Sequence, residues 1–174
     1  SNKSRADLYI PADVSFATRA QSKGLTAESL PVASFRLVLA SVPKANLSFS
    51  TLDEFLALET PFSICNVAAG VGKKTKETLE KLGKWKPIDA TKKSTFPRVT
   101  EAAAAIKASE VVQAGFLWDT TAKQFGLKIH DLPELEKAQS RITVNVTSAS
   151  AKPAQALLFA RYLAAPSKGQ IHFA

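Results

Sequence analysis

This 174-residue chain has few of the side chains that build disulfides and metal clusters: one cysteine, Cys65, and two histidines, His130 and His172. A single cysteine excludes an internal disulfide and a thiolate metal cluster. Cys65 sits in the short apolar run Phe62-Ser63-Ile64-Cys65-Asn66, where a buried, inert thiol is expected. The histidines stand far apart without metal-type spacing and are read as packed or solvated groups. No apolar run reaches the length of a bilayer span, and no signal-type apolar stretch follows Ser1-Asn2-Lys3-Ser4-Arg5.

Catalytic arrangements are scarce as well. Ser63 and Cys65 have no glycine elbow beside them, and no Ser, His and acid set can be nominated from spacing. The carboxylate pairs Glu77 with Glu80 and Asp53 with Glu54 fall on solvated helix faces. Nothing demands an enzyme, and none is expected.

What is present is a folding composition: 45% of residues are apolar, enough for one ordinary domain or two small lobes. The net charge of +8 is uneven. Between Gly70 and Arg98, eight Lys and one Arg stand against Glu77, Glu80 and Asp89, which is +6; the rest of the chain, with fourteen basic and twelve acidic residues, carries +2. That field can steer a small anion, hold nucleic acid, or simply keep a helix face wet.

The residue order reads as alternating strands and helices. Ala6 to Ile10 is a short strand ended by Pro11, and Ala12 to Ser22 a helix closed by Gly24. Phe35 to Val42 is the strongest strand, stopped by Pro43. Ser50 or Thr51 caps a short helix that leads into the strand Phe62 to Asn66. Val71, Thr75, Thr78, Leu79 and Leu82 form the apolar stripe of a lysine-rich helix closing at Gly83. Thr95-Phe96 is extended, Val99 to Ala108 an alanine-rich helix, Gln113 to Trp118 a strand, and Asp119 to Phe125 a helix. Gly126 to Leu132 is strand-sized, and the alternation of Arg141 to Thr147 marks a half-exposed or edge strand. In the last helix Ala154, Leu157, Leu158, Arg161 and Tyr162 share a face, and Pro166 begins a further turn. Such an order implies an α/β fold with mostly parallel sheets, in which ligands sit beyond the carboxyl ends of strands.

One stretch stands out on those terms: Asn66-Val67-Ala68-Ala69-Gly70-Val71-Gly72-Lys73-Lys74-Thr75, joining a strand to the lysine-rich helix. Small residues let the backbone approach a ligand, and a helix start presents unpaired N–H groups and a positive dipole end. It is not a P-loop, because Val67 and Lys74 occupy the places of the required Gly and Ser/Thr; Thr75 likewise replaces the third glycine of the dinucleotide fingerprint. Trp118-Asp119 is the second signal. It reads either as a Trp closing a core with Asp119 as helix cap, or as the mouth of a site shared with the helix starts at Val71 and Val99.

Taken in order, Arg5-Ala6-Asp7-Leu8-Tyr9-Ile10-Pro11-Ala12-Asp13, Leu37 to Lys44, Val71-Gly72-Lys73 through Trp85, Val99-Thr100, Gly115-Phe116-Leu117-Trp118-Asp119 and Ala160-Arg161-Tyr162-Leu163 before Ala165-Pro166 resemble the molybdate-binding periplasmic receptors of ABC importers, of the type II periplasmic binding protein class. The resemblance implies two α/β lobes, with 1–36 and 143–174 in lobe one and 37–142 in lobe two. It implies a monomeric, periplasmic or extracytoplasmic receptor that takes no cofactor or metal and binds no nucleic acid. Such a receptor clamps molybdate or tungstate without chemistry and hands it to a membrane permease. Backbone N–H groups of Val71, Gly72 and Val99 would hold the oxyanion, with Trp118 where the family has a tyrosine. The family's first-lobe serines come from a segment ahead of the Ala-Asp-Leu-Tyr run, and a little more would be expected after Phe173-Ala174. Residues 1–174 alone are therefore expected to bind weakly or not at all. Two other readings stand beside this one: a ligand-sensing domain of the same fold attached to a DNA-binding partner, and a basic nucleic-acid-binding module. In the second, only Trp85 and Phe96 are available for base stacking among the lysines.

Overall fold

The computed structural model describes residues 6–108 and 111–172; Arg5 of the family-like opening and the terminal Phe173-Ala174 lie outside them. In chain order the elements are β1 (Leu8–Tyr9), α1 (Val14–Ser22), β2 (Thr26–Ser41), α2 (Leu52–Ala57) and β3 (Phe62–Cys65). Then come α3 (Gly70–Lys81), α4 (Trp85–Thr91), β4 (Ser94–Phe96), α5 (Val99–Ala108) and β5 (Ala114–Trp118). The last are α6 (Asp119–Phe125), β6 (Lys128–His130), β7 (Gln139–Thr147) and α7 (Pro153–Ala164), followed by a single-turn helix at Gly169–His172. The chain forms two compact units, Ser1–Ser34 with Ser140–Ala174, and Phe35–Gln139.

In the first unit β7 lies between β1 and β2, and pairs with β1 in antiparallel register, Leu8 opposite Val146 and Tyr9 opposite Asn145. This corrects the half-exposed or edge reading of Arg141 to Thr147: Ile142 through Val146 are all buried. The polar members are satisfied internally, the Asn145 Nδ2 amide donating to the Tyr9 carbonyl at 2.9 Å and to the Thr143 carbonyl at 3.2 Å. Helix α7 also turns differently from its sequence reading. Its buried residues are Ala156 and Ala160, whereas Leu158 and Tyr162 are exposed. Small side chains set this face, because alanines permit a closer approach than the leucines do.

Asp13 ties the first unit together. It is the N-cap of α1, accepting from the Ser15 N–H at 2.9 Å, and its second carboxylate oxygen accepts from the Ser140 hydroxyl of β7 at 2.5 Å. A buried carboxylate shared between a helix start and a strand is held by both the cap and the dipole.

The second unit has a mixed sheet. Strands β5, β3 and β4 run parallel, with Ser63 opposite Gly115 on one side and Ser94 on the other. The expected parallel arrangement holds there; β2 joins antiparallel to β5, Leu37 opposite Trp118, and carries β6 antiparallel on its far side. All four residues of β3 are buried, as a strand covered on both faces requires. The alanines that favour helix over Val99–Ala108 also bring α5 close to the sheet, with Ala102, Ala103 and Ile106 buried. Thr51 caps α2, accepting from the Glu54 N–H at 3.1 Å.

Replacing Asp13 by Ala should lower stability by about 2 kcal/mol, combining loss of the cap with a buried Ser140 hydroxyl left unpaired. Urea denaturation measures it. Asp13→Asn, which keeps an acceptor for the cap, should recover part of the loss, and equal midpoints for wild type and Asp13→Ala would show that this carboxylate holds nothing.

Candidate functional site

The parallel ladder brings three strand ends to one edge of the second unit's sheet. Cys65 of β3 stands opposite Phe96 of β4, and Trp118 ends β5 on the other side. Each strand is followed by a helix: β3 by α3 from Gly70, β4 by α5 from Val99, and β5 by α6 from Asp119. The sheet therefore brings Val71, Gly72, Val99 and Trp118 to the carboxyl ends of neighbouring strands.

Helix α3 opens without a side-chain cap, since its N-cap is Ala69. The first intrahelical bond runs from the Lys73 N–H to the Ala69 carbonyl at 2.9 Å. The N–H groups of Gly70, Val71 and Gly72 come before it and have no acceptor along their own helix. Val71 is buried at the side chain, and with Thr75 and Leu79 it fastens α3 to the core. Gly72 is buried for a different reason. A Cβ built there would lie 2.1 Å from the Asn66 carbonyl oxygen and 2.5 Å from that of Cys65. Only a residue with no side chain lets the helix start sit this close to the end of β3.

Helix α5 opens comparably, its first bond running from the Ala102 N–H to the Arg98 carbonyl at 3.1 Å. Val99 is half-buried against the core. An acid, Glu101, stands in the first turn, with the Arg98 guanidinium 3.5 Å from its carboxylate. Helix α6 is closed. Trp118 is its N-cap and Asp119 its first residue, so Asp119 is not the cap expected from sequence; its carboxylate accepts from the Thr120 N–H at 2.9 Å and from the Arg36 N–H at 3.1 Å. Trp118 itself is only 3% exposed, its ring 5.7 Å from that of Phe35. The indole thus packs into the core of this unit while its backbone stays at the strand end.

Four of the eight lysines in the lysine-rich region pair with acids. Lys73 faces Glu77, Lys76 faces Glu80, Lys92 faces Asp89, and Lys84 is ion-paired to Asp53 from α2. Such surface pairs add little stability, but they lower the local excess of positive charge. Lys76 also lies 5.9 Å over the Trp85 ring, which starts the unforeseen helix α4.

Two titratable groups of this unit have shifted pKa values, Cys65 at the end of β3 and His130 beside Ser41, which lies opposite the first residue of β5. Burial, and secondarily the Glu101 carboxylate, push the Cys65 thiol up to about 12, so it stays protonated and inert, as its apolar run implied. His130 is a packed histidine: its Nε2 lies 2.8 Å from the Ser41 hydroxyl, and the Phe49 ring stacks on it at 4.2 Å. Burial, and then Lys128, hold its pKa below the usual histidine range, with Asp131 opposing them. A cavity of about 320 Å³ adjoins it, lined by Arg36, Asp131 and Glu136 among others and by none of the four candidate residues. Among the described residues no three His, Cys, Asp or Glu gather as a metal site.

Sequence reasoning did not single out Asn66. Its side-chain Oδ1 accepts from the Ala68 N–H at 2.9 Å, its carbonyl accepts from the Ala69 N–H at 2.8 Å, and its own N–H donates to the Phe96 carbonyl at 2.8 Å. An asparagine directly after a strand, with room for a turn two residues on, is the signal that could have found it.

The chain belongs to the family of bacterial extracellular solute-binding proteins, which it matches over residues 1–172. Its fold is similar to that of the periplasmic molybdate-binding protein of Azotobacter vinelandii, at 20% identity and a TM-score of 0.73, covering 95% of this chain and 75% of that one. It is similar also to iron-bound HitA from Pseudomonas aeruginosa, at 18% identity and a TM-score of 0.74, covering 98% and 68%. A periplasmic thiamin binding protein aligns at 12% identity and a TM-score of 0.77, covering 93% and 61%. These are type II periplasmic binding protein folds, and likeness at such identities establishes the fold. Among curated proteins no sequence matches the chain.

Two outcomes test these placements. Gly72→Ala should cost about 2 kcal/mol, because the methyl has backbone and no flexible side chain to displace, whereas Gly83→Ala, with open space around it but φ +69°, should cost about 1 kcal/mol. Equal costs in denaturant would mean that the close approach carries no strain. The second outcome concerns pH. The unfolded chain takes up a proton at His130 near the ordinary histidine value of about 6.5, while the folded chain resists it, so the unfolded state binds more protons and stability falls as pH drops below that value. A melting series from pH 7.5 to 5 should show that slope, and His130→Gln should flatten it; an unchanged slope would place the titration elsewhere.

Proposed function

We propose that this chain is the extracytoplasmic receptor of an ABC importer for a tetrahedral oxyanion, molybdate or tungstate, which it binds without chemistry and passes to a membrane permease. The observation that carries this reading is the pair of helix starts, α3 and α5, opening beyond adjacent ends of one parallel ladder, the first of them with no side-chain cap. The backbone N–H groups of Val71, Gly72 and Val99 are the proposed contacts; Trp118, whose indole packs into the core, ends the neighbouring strand beside them.

Neutral donors suit a dianion well. They stabilise the charge through the helix dipoles without the desolvation that a buried ammonium would suffer. A ferric cargo, of the kind the iron-bound neighbour holds, calls for anionic oxygen ligands, which helix amides do not supply. The likeness to the molybdate-binding protein of Azotobacter vinelandii points the same way. With Lys73 and Lys76 facing acids, the net positive charge left on the lysine-rich region, Lys74 included, acts at longer range and raises the encounter rate at low salt.

Calorimetric titration of the protein in its full-length form should give saturable heat with molybdate or tungstate. At a free ligand concentration of a hundred times Kd, the fold should gain about 2.7 kcal/mol and melt correspondingly higher. Silence with both oxyanions at millimolar concentration, together with a melting shift from ferric iron or thiamin, would overturn the reading.

A further inference from the structure

We propose that Asn66 is the positioning residue of the site, setting the two helix starts relative to each other; the assignment rests on the oxyanion reading above. Asn66 is the first residue after β3 and is exposed, so its side chain is not needed to fill the core. Every polar bond recorded for it goes to a segment that leads into a helix start. Toward α3, Oδ1 accepts from the Ala68 N–H and the carbonyl accepts from the Ala69 N–H, which folds the linker into a tight turn ending at the N-cap. Toward α5, the Asn66 N–H donates to the carbonyl of Phe96, the last residue of β4, after which only Pro97 and Arg98 precede Val99.

The Gly72 contact closes this arrangement. Because the Gly72 backbone rests against the Asn66 carbonyl, any rotation of the Asn66 peptide moves the first turn of α3 directly. The same peptide plane thus bears on Gly72 through its oxygen, while the preceding peptide holds Phe96 through the Asn66 N–H. A side chain that fixes the Asn66 conformation therefore fixes the spacing between the Val71–Gly72 amides and the Val99 amide. Turn-forming asparagine does this through one short-range hydrogen bond, which alanine cannot make and aspartate can.

This separates geometry from charge, and two variants read them independently. Asn66→Ala removes the turn bond and leaves charge unchanged; Asn66→Asp keeps the bond and places a carboxylate beside the anion. With molybdate titrated into the full-length protein, Asn66→Ala should weaken binding about tenfold, the worth of one hydrogen bond, and the loss should not depend on salt. Asn66→Asp should weaken it further, and raising the ionic strength from 0.02 to about 0.5 M should recover part of that second loss. Hydrogen exchange of the unliganded protein should show faster amide exchange over 68–72 and 97–100 together in Asn66→Ala, and wild-type rates in Asn66→Asp.

Wild-type affinity in Asn66→Ala, or faster exchange in only one of the two segments, would overturn the Asn66 assignment while leaving the oxyanion reading intact. A wild type that binds neither molybdate nor tungstate would overturn the oxyanion reading, and the site assignment with it. If Asn66→Asp then tightened a cationic ligand, the cargo would be of the opposite sign.

Discussion

Gly72 cannot carry a side chain, and much of the second unit's arrangement follows from that constraint. With hydrogen in place of a Cβ, the first turn of α3 lies against the carbonyl oxygens of Cys65 and Asn66, at a separation where a methyl would overlap backbone atoms. The contact puts the open end of a helix directly beyond the end of a buried strand. Val71, Thr75 and Leu79 then hold the helix down, so the placement is rigid rather than poised. A single glycine thereby lets an uncapped helix start pack directly against the end of a strand.

The two neighbouring helix starts show how the same connection can be tuned. At α5 an acid lies within the first turn but is opposed by Arg98; at α6 the carboxylate of Asp119 accepts from one amide of its own helix, that of Thr120, and from the Arg36 N–H. The three starts thus differ: α3 has no side-chain cap, α5 carries an acid in its first turn, and α6 has a carboxylate bonded to one of its own amides. This asymmetry argues against treating every strand end of such a sheet as an equivalent subsite. It also explains why Trp118, although at the right edge, presents mainly apolar surface packed on Phe35.

Local chemistry made much of this legible. Proline and glycine mark the ends correctly at Pro43, Gly83 and Gly126, and the helices Val99–Ala108 and Asp119–Phe125 fall where their composition places them. What escaped has identifiable causes. Strand β2 extends back to Thr26 through Pro31, although proline within a run argues against a strand; its missing N–H is tolerable wherever no neighbour needs it. Helix α4 has Pro87 in its first turn, the one helical place where proline fits, inside a lysine-rich segment that reads as loop. The buried face of α7 is defined by alanines, which periodicity of large apolar residues cannot reveal. The Asn66–Phe96 bond and the Gly72 contact escaped for a deeper reason: both depend on distances between backbone atoms of separate elements, and residue type alone records no distance.

The charge distribution sharpens what the amides can do. As a sequence, residues 70–98 form a cationic patch suited to gripping an anion directly. In the structure Lys73, Lys76, Lys84 and Lys92 pair with acids, and what remains of the positive field is screened by salt. The field and the amides have different jobs. A field of mobile ammonium groups speeds arrival but discriminates little among anions, because it senses charge at a distance. Fixed amide donors sense where oxygen atoms lie, so discrimination among ligands of equal charge must come from the spacing between helix starts. Backbone geometry, and not the conspicuous lysines, is therefore where a change of cargo within one fold would have to be written: in the turn at Asn66, the contact at Gly72, and the side chain that ends β5.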